Sequence, residues 1–225
     1  MNESLGLIGR KLGTTQFFTE DGTVVRATAL KVGPCTVVGK RTPERDGYSA
    51  LVLGLGTQVA RKVSKPLAGH FKKLDVAPAV VVREFRLPED EVAKYEIGQS
   101  LALDTVFREG QFVDLSARSK GRGFAGVIKR HGFSGAGTMT HGTHEYKRHG
   151  GSIGMNMTPG RTLANQKMAG HYGDERITIM SVRIAKLLPE DGVMLVRGSV
   201  PGGKGGLVQV RLAVKKRKQN AKVAA

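Results

Sequence analysis

Cysteine is nearly missing from this chain of 225 residues. Cys35 stands alone, so no disulfide can close within the chain and nothing points to secretion. No stretch approaches about 18 uninterrupted apolar residues, which excludes a membrane-spanning helix from the expectations. Met1 to Arg10 has neither the apolar run of a signal peptide nor the Arg/Ser-rich amphipathic character of a transit peptide. A soluble, cytoplasmic protein is the expectation. Acids are scarce as well: 19 Asp and Glu stand against 36 Lys and Arg, a formal net charge of +17.

The shortage of acid is local. From Arg118 to Tyr172 the single acid is Glu145, beside nine Lys or Arg, twelve Gly and five of the six His in the chain. These 55 residues carry +8, and the tail Lys215, Lys216, Arg217, Lys218 and Lys222 carries +5, leaving +4 for the remainder. Aliphatic core-formers in the segment are Val127, Ile128, Ile153 and Leu163. At roughly 1.5 to 3 kcal/mol each when fully buried, they cannot offset the backbone entropy lost on ordering so long a stretch. A partner has to supply that ordering energy, and the charge makes the partner a polyphosphate. An out-and-back arm of this length would reach at most roughly 80 Å at about 3.3 Å per residue.

The rest of the chain is long enough for one domain with a real core. Short runs rich in β-branched residues recur between turn signals: Leu5 to Ile8, Thr23 to Val32, Thr36 to Gly39, Tyr48 to Leu55, Ala79 to Leu87 and Leu101 to Val106. Gln111 to Leu115, Ile177 to Ile184, Val193 to Val196 and Leu207 to Val214 continue the series, the last alternating cleanly at Val208, Val210, Leu212 and Val214. Asp21-Gly22, Asp46-Gly47 and Asp191-Gly192 read as tight reversals. Pro88 to Tyr95 opens with acids suited to one short helix. The expected fold is mainly β: an antiparallel, Greek-key-like β-barrel body over 1–117 and 173–214, with a short helical insertion at about 57–100. A long irregular loop, 118–172, and a basic tail, 215–225, complete it.

Four local patterns suggest enzymes and fail on their surroundings. Gly121 to Gly126 matches G-x-G-x-x-G, with Glu145 near the distance of a ribose-binding acid, but Val127 to Gly137 is too rich in Gly and basic residues for the following helix, and no βαβ unit surrounds it. Gly198 to Lys204 nearly spells a phosphate-binding loop and breaks at Gly205, where a hydroxyl should bind Mg²⁺; a flexible hairpin loop is the simpler reading. His144 and His149 are one residue too far apart for H-E-x-x-H, about 500° around a helix. Lys147 and Arg148 would also oppose a bound cation. Cys35, next to Pro34 among apolar strands, reads as a buried filler. No metal, cofactor, small-molecule substrate or catalytic residue is expected.

The pattern that carries chemistry is Ser119-Lys-Gly-Arg-Gly-Phe-Ala-Gly-Val-Ile-Lys-Arg-His131. Gly lets the backbone approach phosphates while Lys120, Arg122, Lys129 and Arg130 neutralise them, and Phe124 and Phe133 offer faces for bases. His131, His141, His144, His149 and His171 suit stacking or phosphate hydrogen bonds. Lys147, Arg148, Arg161 and Lys167 extend the cationic set.

Together with Gly6-Leu-Ile-Gly-Arg-Lys-Leu-Gly13, Phe18-Thr-Glu-Asp-Gly22, Lys65-Pro-Leu-Ala-Gly-His-Phe71 and Arg83-Glu-Phe-Arg86, that run resembles the bacterial form of the ribosomal protein L-three family, a universal component of the large ribosomal subunit. The most specific stretches are Gly151-Ser-Ile-Gly-Met-Asn-Met-Thr-Pro-Gly160 and Lys167-Met-Ala-Gly-His171. The resemblance implies a β-barrel near the subunit surface, a loop threading ribosomal RNA towards the peptidyl transferase centre, help in starting subunit assembly, and contacts with neighbouring ribosomal proteins. It places Ser152, Gly154, Met155, Asn156, Met157, Thr158 and Pro159 at the loop tip, with Asn156 the polar residue nearest the functional RNA. Many relatives carry glutamine at the positions of Met155 and Met157, and the one matching Met157 is methylated on its amide in some bacteria. Methionine has no amide, so no such modification is expected at Met157. Ala164 and Gln166 replace frequent lysines, Gly150 a frequent proline and Thr14 a frequent methionine. A non-ribosomal RNA chaperone or architectural nucleic-acid-binding protein is the alternative.

Overall fold

The computed structural model describes residues 4–224, so expectations resting on residues 1–3 and 225 lie outside it. It contains two compact units: Met1–Arg118 together with Arg176–Ala225, and Ser119–Glu175. The strands in chain order are β1 (Gly6–Phe18), β2 (Val24–Val32), β3 (Cys35–Arg41), β4 (Ala50–Thr57), β5 (Ala79–Arg86), β6 (Ser100–Leu101), β7 (Phe112–Arg118), β8 (Phe124–Ala125), β9 (Gly170–His171), β10 (Arg176–Leu188), β11 (Val193–Arg197) and β12 (Leu207–Leu212).

In the first unit, six strands close into a barrel in the order β1-β12-β7-β10-β11-β2, each neighbour antiparallel. Closure removes the unpaired sheet edges that an open sheet would expose. Period-two burial fills the interior: Val208 and Val210 are fully buried while Leu207, Gln209 and Arg211 are half-buried. The register sets Val210 opposite Leu7 on one side and Leu115 on the other, so three inward side chains lie abreast. Leu30, Ile184, Met194 and Val196 complete the same core. Gly22 and Gly192 take left-handed backbone at the β1–β2 and β10–β11 reversals, as Asp-Gly predicts.

β10 carries the least regular feature of the barrel. Its pairing with β7 shifts register between Ile179 and Val182, where Ser181 has φ +57°. The Ser181 N–H donates to Asp114 Oδ1 (2.8 Å) and the Val214 N–H donates to Asp114 Oδ2 (3.2 Å). Asp114 is only 8% exposed. A buried carboxylate therefore satisfies two backbone donors that a bulge and a strand end would otherwise orphan.

A second sheet, β5-β4-β3-β6, shares this core through Val37, Leu51, Leu53, Phe85 and Leu101. Its other face buries Val38 and Val52 under Phe71 of a helix at Lys65–Lys73, which begins with proline in its first turn. Cys35 is fully buried, its Sγ accepting the Ile8 N–H (3.4 Å), and burial pushes the thiol up to about 11. It packs as a filler.

Several local expectations need correction. The insertion is mixed, because β5 and β6 lie among its helices; the acid-led helix there is Glu89–Ala93. Leu101 to Val106 is not one strand: β6 ends at Leu101 and Leu103–Val106 forms a helical turn, with the Thr105 hydroxyl donating to the Ala102 carbonyl (2.7 Å). Asp46-Gly47 does lie between two paired strands, β3 and β4, but it ends a short helix, Pro43–Asp46, in a longer connection and is not a tight reversal. The 198–206 segment is no hairpin loop. It links β11 to β12, which are not neighbours in the barrel, and is tied down by Lys11 Nζ donating to the carbonyls of Val200 (2.6 Å) and Gly202 (3.1 Å). The basic tail contains a helix at Arg217–Ala224.

Candidate nucleic-acid interface

The Ser119–Glu175 unit is closed at its base by its own two legs. β8 and β9 pair antiparallel, Phe124 opposite His171 and Ala125 opposite Gly170. The Arg122 N–H donates to the Tyr172 carbonyl, the Tyr172 N–H to the Gly123 carbonyl (both 2.9 Å), and the Ser119 N–H to the Glu175 carbonyl (2.8 Å). The Arg122 guanidinium also lies 5.0 Å above the Tyr172 ring. Backbone polar groups here find partners in each other.

Beyond this clasp, a helix at Val127–His131 stops at Gly132, whose left-handed φ of +73° lets its N–H donate back to the Ile128 carbonyl (2.9 Å). Arg130 Nη1 donates to the Met168 carbonyl (2.7 Å), and the Nε2–H tautomer of His131 donates to the same oxygen (3.0 Å). Gly135, at φ +76°, passes so close to the Lys147 carbonyl that no side chain could stand there; its neighbour Ala136 takes that carbonyl as acceptor (3.1 Å). The segment is thus not free of internal order. Counting aliphatic side chains undervalued it, because hydrogen bonds and close glycine contacts shape it where burial cannot.

This ordering sorts the predicted contact residues. Arg130 and His131 are half-buried and engaged by Met168, so they brace the unit from within. Lys120, Arg122, Lys129, His141, His144, Lys147, Arg148, His149, Arg161, Lys167 and His171 are all exposed. Lys129, Lys147, Arg148, Arg161 and Lys167 have no acidic partner among the described residues. Phe124 is 80% exposed, leaving its ring face free to stack. Residues 151–160 are exposed throughout, Met157 reaching 86%. Within that tip the Ser152 hydroxyl donates to the Gly154 carbonyl (2.9 Å). Tyr146, which no sequence pattern singled out, joins Phe133 and His149 along a groove of about 740 Å³. Aromatic faces on such a groove can stack with bases.

After the G-x-G-x-x-G match a helix does begin at Val127, but it has five residues, and the strand before it pairs antiparallel with β9 rather than within a βαβ unit. The phosphate-binding geometry of that motif therefore lacks its frame. Among the described residues, no group of three or more His, Cys, Asp or Glu could hold a metal ion. No helix there is long and apolar enough to cross a membrane.

A closed barrel joined in one chain to a cationic, acid-poor unit with solvent-facing charge defines a polyanion-binding protein, of the kind that meets nucleic acid through phosphates. The sequence profile of Ribosomal protein L3 matches residues 81–192. The chain is similar to "Large ribosomal subunit protein uL3" of Sorangium cellulosum (strain So ce56), 55% identical over 217 residues that span 96% of this chain and 93% of that one. It is 47% identical over 219 residues to the protein of that name from Cutibacterium acnes (97% and 96% covered) and 46% identical over 211 residues to that from Magnetococcus marinus (94% and 97% covered). The chain belongs to the ribosomal protein L3 family.

Proposed function

We propose that this protein is a structural, non-catalytic component of the large ribosomal subunit that binds large-subunit ribosomal RNA and helps nucleate assembly of the subunit. The observation that carries the reading is the set of exposed cations without acidic partners, Lys129, Lys147, Arg148, Arg161 and Lys167, in a unit that orders its own backbone. The 118–172 loop is the principal RNA contact; Lys120, Arg122, Phe124 and the exposed histidines share in it, while Arg130 and His131 hold its shape. The tip, Ser152 to Pro159, runs towards the peptidyl transferase centre and leaves Met157 unmodified. The barrel body, 1–117 with 173–214, docks on RNA and on neighbouring ribosomal proteins in the cytoplasm. A Greek-key-like winding of that body is supported by the run β12-β7-β10-β11, where three successive barrel strands are followed by a fourth returning beside the first.

The test is the salt dependence of RNA binding by the full chain and by a variant with Lys129, Lys147, Arg148, Arg161 and Lys167 changed to Gln. Each phosphate contact contributes about 0.7 to the log–log slope on single-stranded RNA. Neutralisation should therefore make the slope shallower by roughly 2 to 4. An unchanged slope overturns the role given to the loop. Retention on large subunits through a moderate salt wash separates this role from that of a free RNA chaperone.

A further inference from the structure

The C-terminal tail is not a loose basic end. Hydrogen bonds at its root and along its helix fix it to the barrel. The Ala213 N–H donates to the Phe112 carbonyl (2.9 Å), and the Val214 N–H donates to Asp114 Oδ2 (3.2 Å). Six residues further on, Asn220 clasps Phe112 from both sides: its Oδ1 accepts the Phe112 N–H (2.7 Å) and its Nδ2 donates to the Phe112 carbonyl (2.8 Å). Asn220 is 5% exposed. A buried side-chain amide thus completes the backbone pairing of a strand end as another strand would. Lys216 adds its ammonium 5.6 Å above the Phe112 ring.

What this anchoring holds in place is unfavourable by itself. Lys215, Arg217, Lys218 and Lys222 are exposed, and residues 214–225 contain no acid. Three of these cations crowd the start of the helix, where the backbone dipole is already positive, and Lys218 and Lys222 sit one turn apart, where like charges repel. Asp114 is buried on its two donors and Glu109 Oε1 accepts the Leu187 N–H (2.6 Å), and among the described residues neither forms an ion pair with a tail cation. A carbon added at Gly110 would lie 3.8 Å from Arg183 Nη2 and 3.9 Å from Val223 Cγ1, so exposed Arg183 flanks the same corner. Uncompensated repulsion in a helix fixed by a buried polar clasp is relieved when a polyanion covers it.

We propose that the anchored tail helix, with Arg183 beside it, is a second RNA-binding surface that engages the sugar–phosphate backbone of an RNA helix. The proposal rests on the RNA-binding reading above but uses residues outside the loop, so the two fail separately. Phosphate spacing along a duplex suits a fixed row of cations, and the deep, narrow major groove of an RNA helix keeps side chains from its base edges.

Binding of a fluorescein-labelled RNA hairpin to the full chain, followed by anisotropy between roughly 50 and 200 mM salt, tests it. One variant carries Gln at positions 215, 217, 218 and 222; the other is Asn220→Ala, which keeps every charge but opens the clasp. Neutralisation should make the slope shallower by about 2 to 4. Asn220→Ala should weaken binding about three- to tenfold, since a released tail must be ordered again on RNA. Unchanged RNA binding by the neutralised variant overturns the proposal, and if that variant has instead lost affinity for poly-glutamate the surface belongs to an acidic protein partner. Wild-type affinity in Asn220→Ala alongside a weakened neutralised variant also overturns it, because the tail then acts as an unstructured polycation. Where Asn220→Ala lowers the stability of the barrel, the neutralised variant, which alters no buried group, decides alone. Loss confined to the loop variants would leave the loop reading intact and count against the tail.

Discussion

Replacing Asp114 with alanine should markedly destabilise the barrel. Asp114 accepts the Ser181 N–H at 2.8 Å and the Val214 N–H at 3.2 Å while only 8% exposed. Removing the carboxylate leaves both donors without partners, and an unsatisfied buried donor costs about 1 to 3 kcal/mol. Two of them sum to roughly 2 to 6 kcal/mol. For a unit of this size each kcal/mol moves Tm by about 2 to 4 °C, so the expected fall is roughly 5 to 20 °C. Asp114→Asn keeps one acceptor oxygen and should lose about half as much. Ser181→Gly should be near neutral, because the strain that glycine relieves at φ +57° is offset by the greater conformational entropy it loses on folding. Urea unfolding followed by circular dichroism reads all three. If Asp114→Ala lies within about 0.5 kcal/mol of wild type, the range of ordinary surface changes, the carboxylate does not hold the bulge and the reasoning fails.

Gly135→Ala should disorder the loop unit around Lys147 without unfolding the barrel, because a methyl there meets a carbonyl oxygen and the backbone has positive φ; faster tryptic cleavage at Lys147 and Arg148, with an unchanged barrel melting temperature, is the expected pair of results. Cys35 should resist a thiol reagent until the protein unfolds. Its folded pKa of about 11 against a reference of 9.0 means that only the unfolded chain ionises between those values. That contribution is present below pH 9 and is lost as pH rises towards 11, at most about 3 kcal/mol. Cys35→Ala should therefore lose less stability than wild type between pH 8 and 10.5, measured by denaturant midpoint.

Much of the barrel was legible because burial inside it alternates with period two: Val208 and Val210 reveal β12 in the sequence as they do in space. β1 runs on past the apolar stretch Leu5 to Ile8 because its continuation to Phe18 pairs with β2 as a largely exposed ribbon without apolar alternation, which leaves no periodic signal in the sequence. The helix at Lys65–Lys73 was hidden by its polar composition, with Phe71 its one buried residue. In the loop, the cations and their lack of acids could be read directly, since charge needs no fold to be counted. The inward tasks of Arg130 and His131 could not, because they depend on a carbonyl 38 and 37 residues away in the chain. The β8–β9 clasp was invisible for the same reason: two residues on each leg carry no periodic signal. Asn220 carries no signal of its own in a basic tail, because its role exists only against Phe112, 108 residues away in the chain.

The most direct test of the account places a photo-reactive amino acid at position 157 of the full chain, incorporates it into intact large ribosomal subunits and identifies what it captures. Cross-links to large-subunit RNA are the predicted result. Capture of protein alone, or of nothing in subunits that contain the chain, would contradict the claim that this exposed tip is built to be covered by RNA.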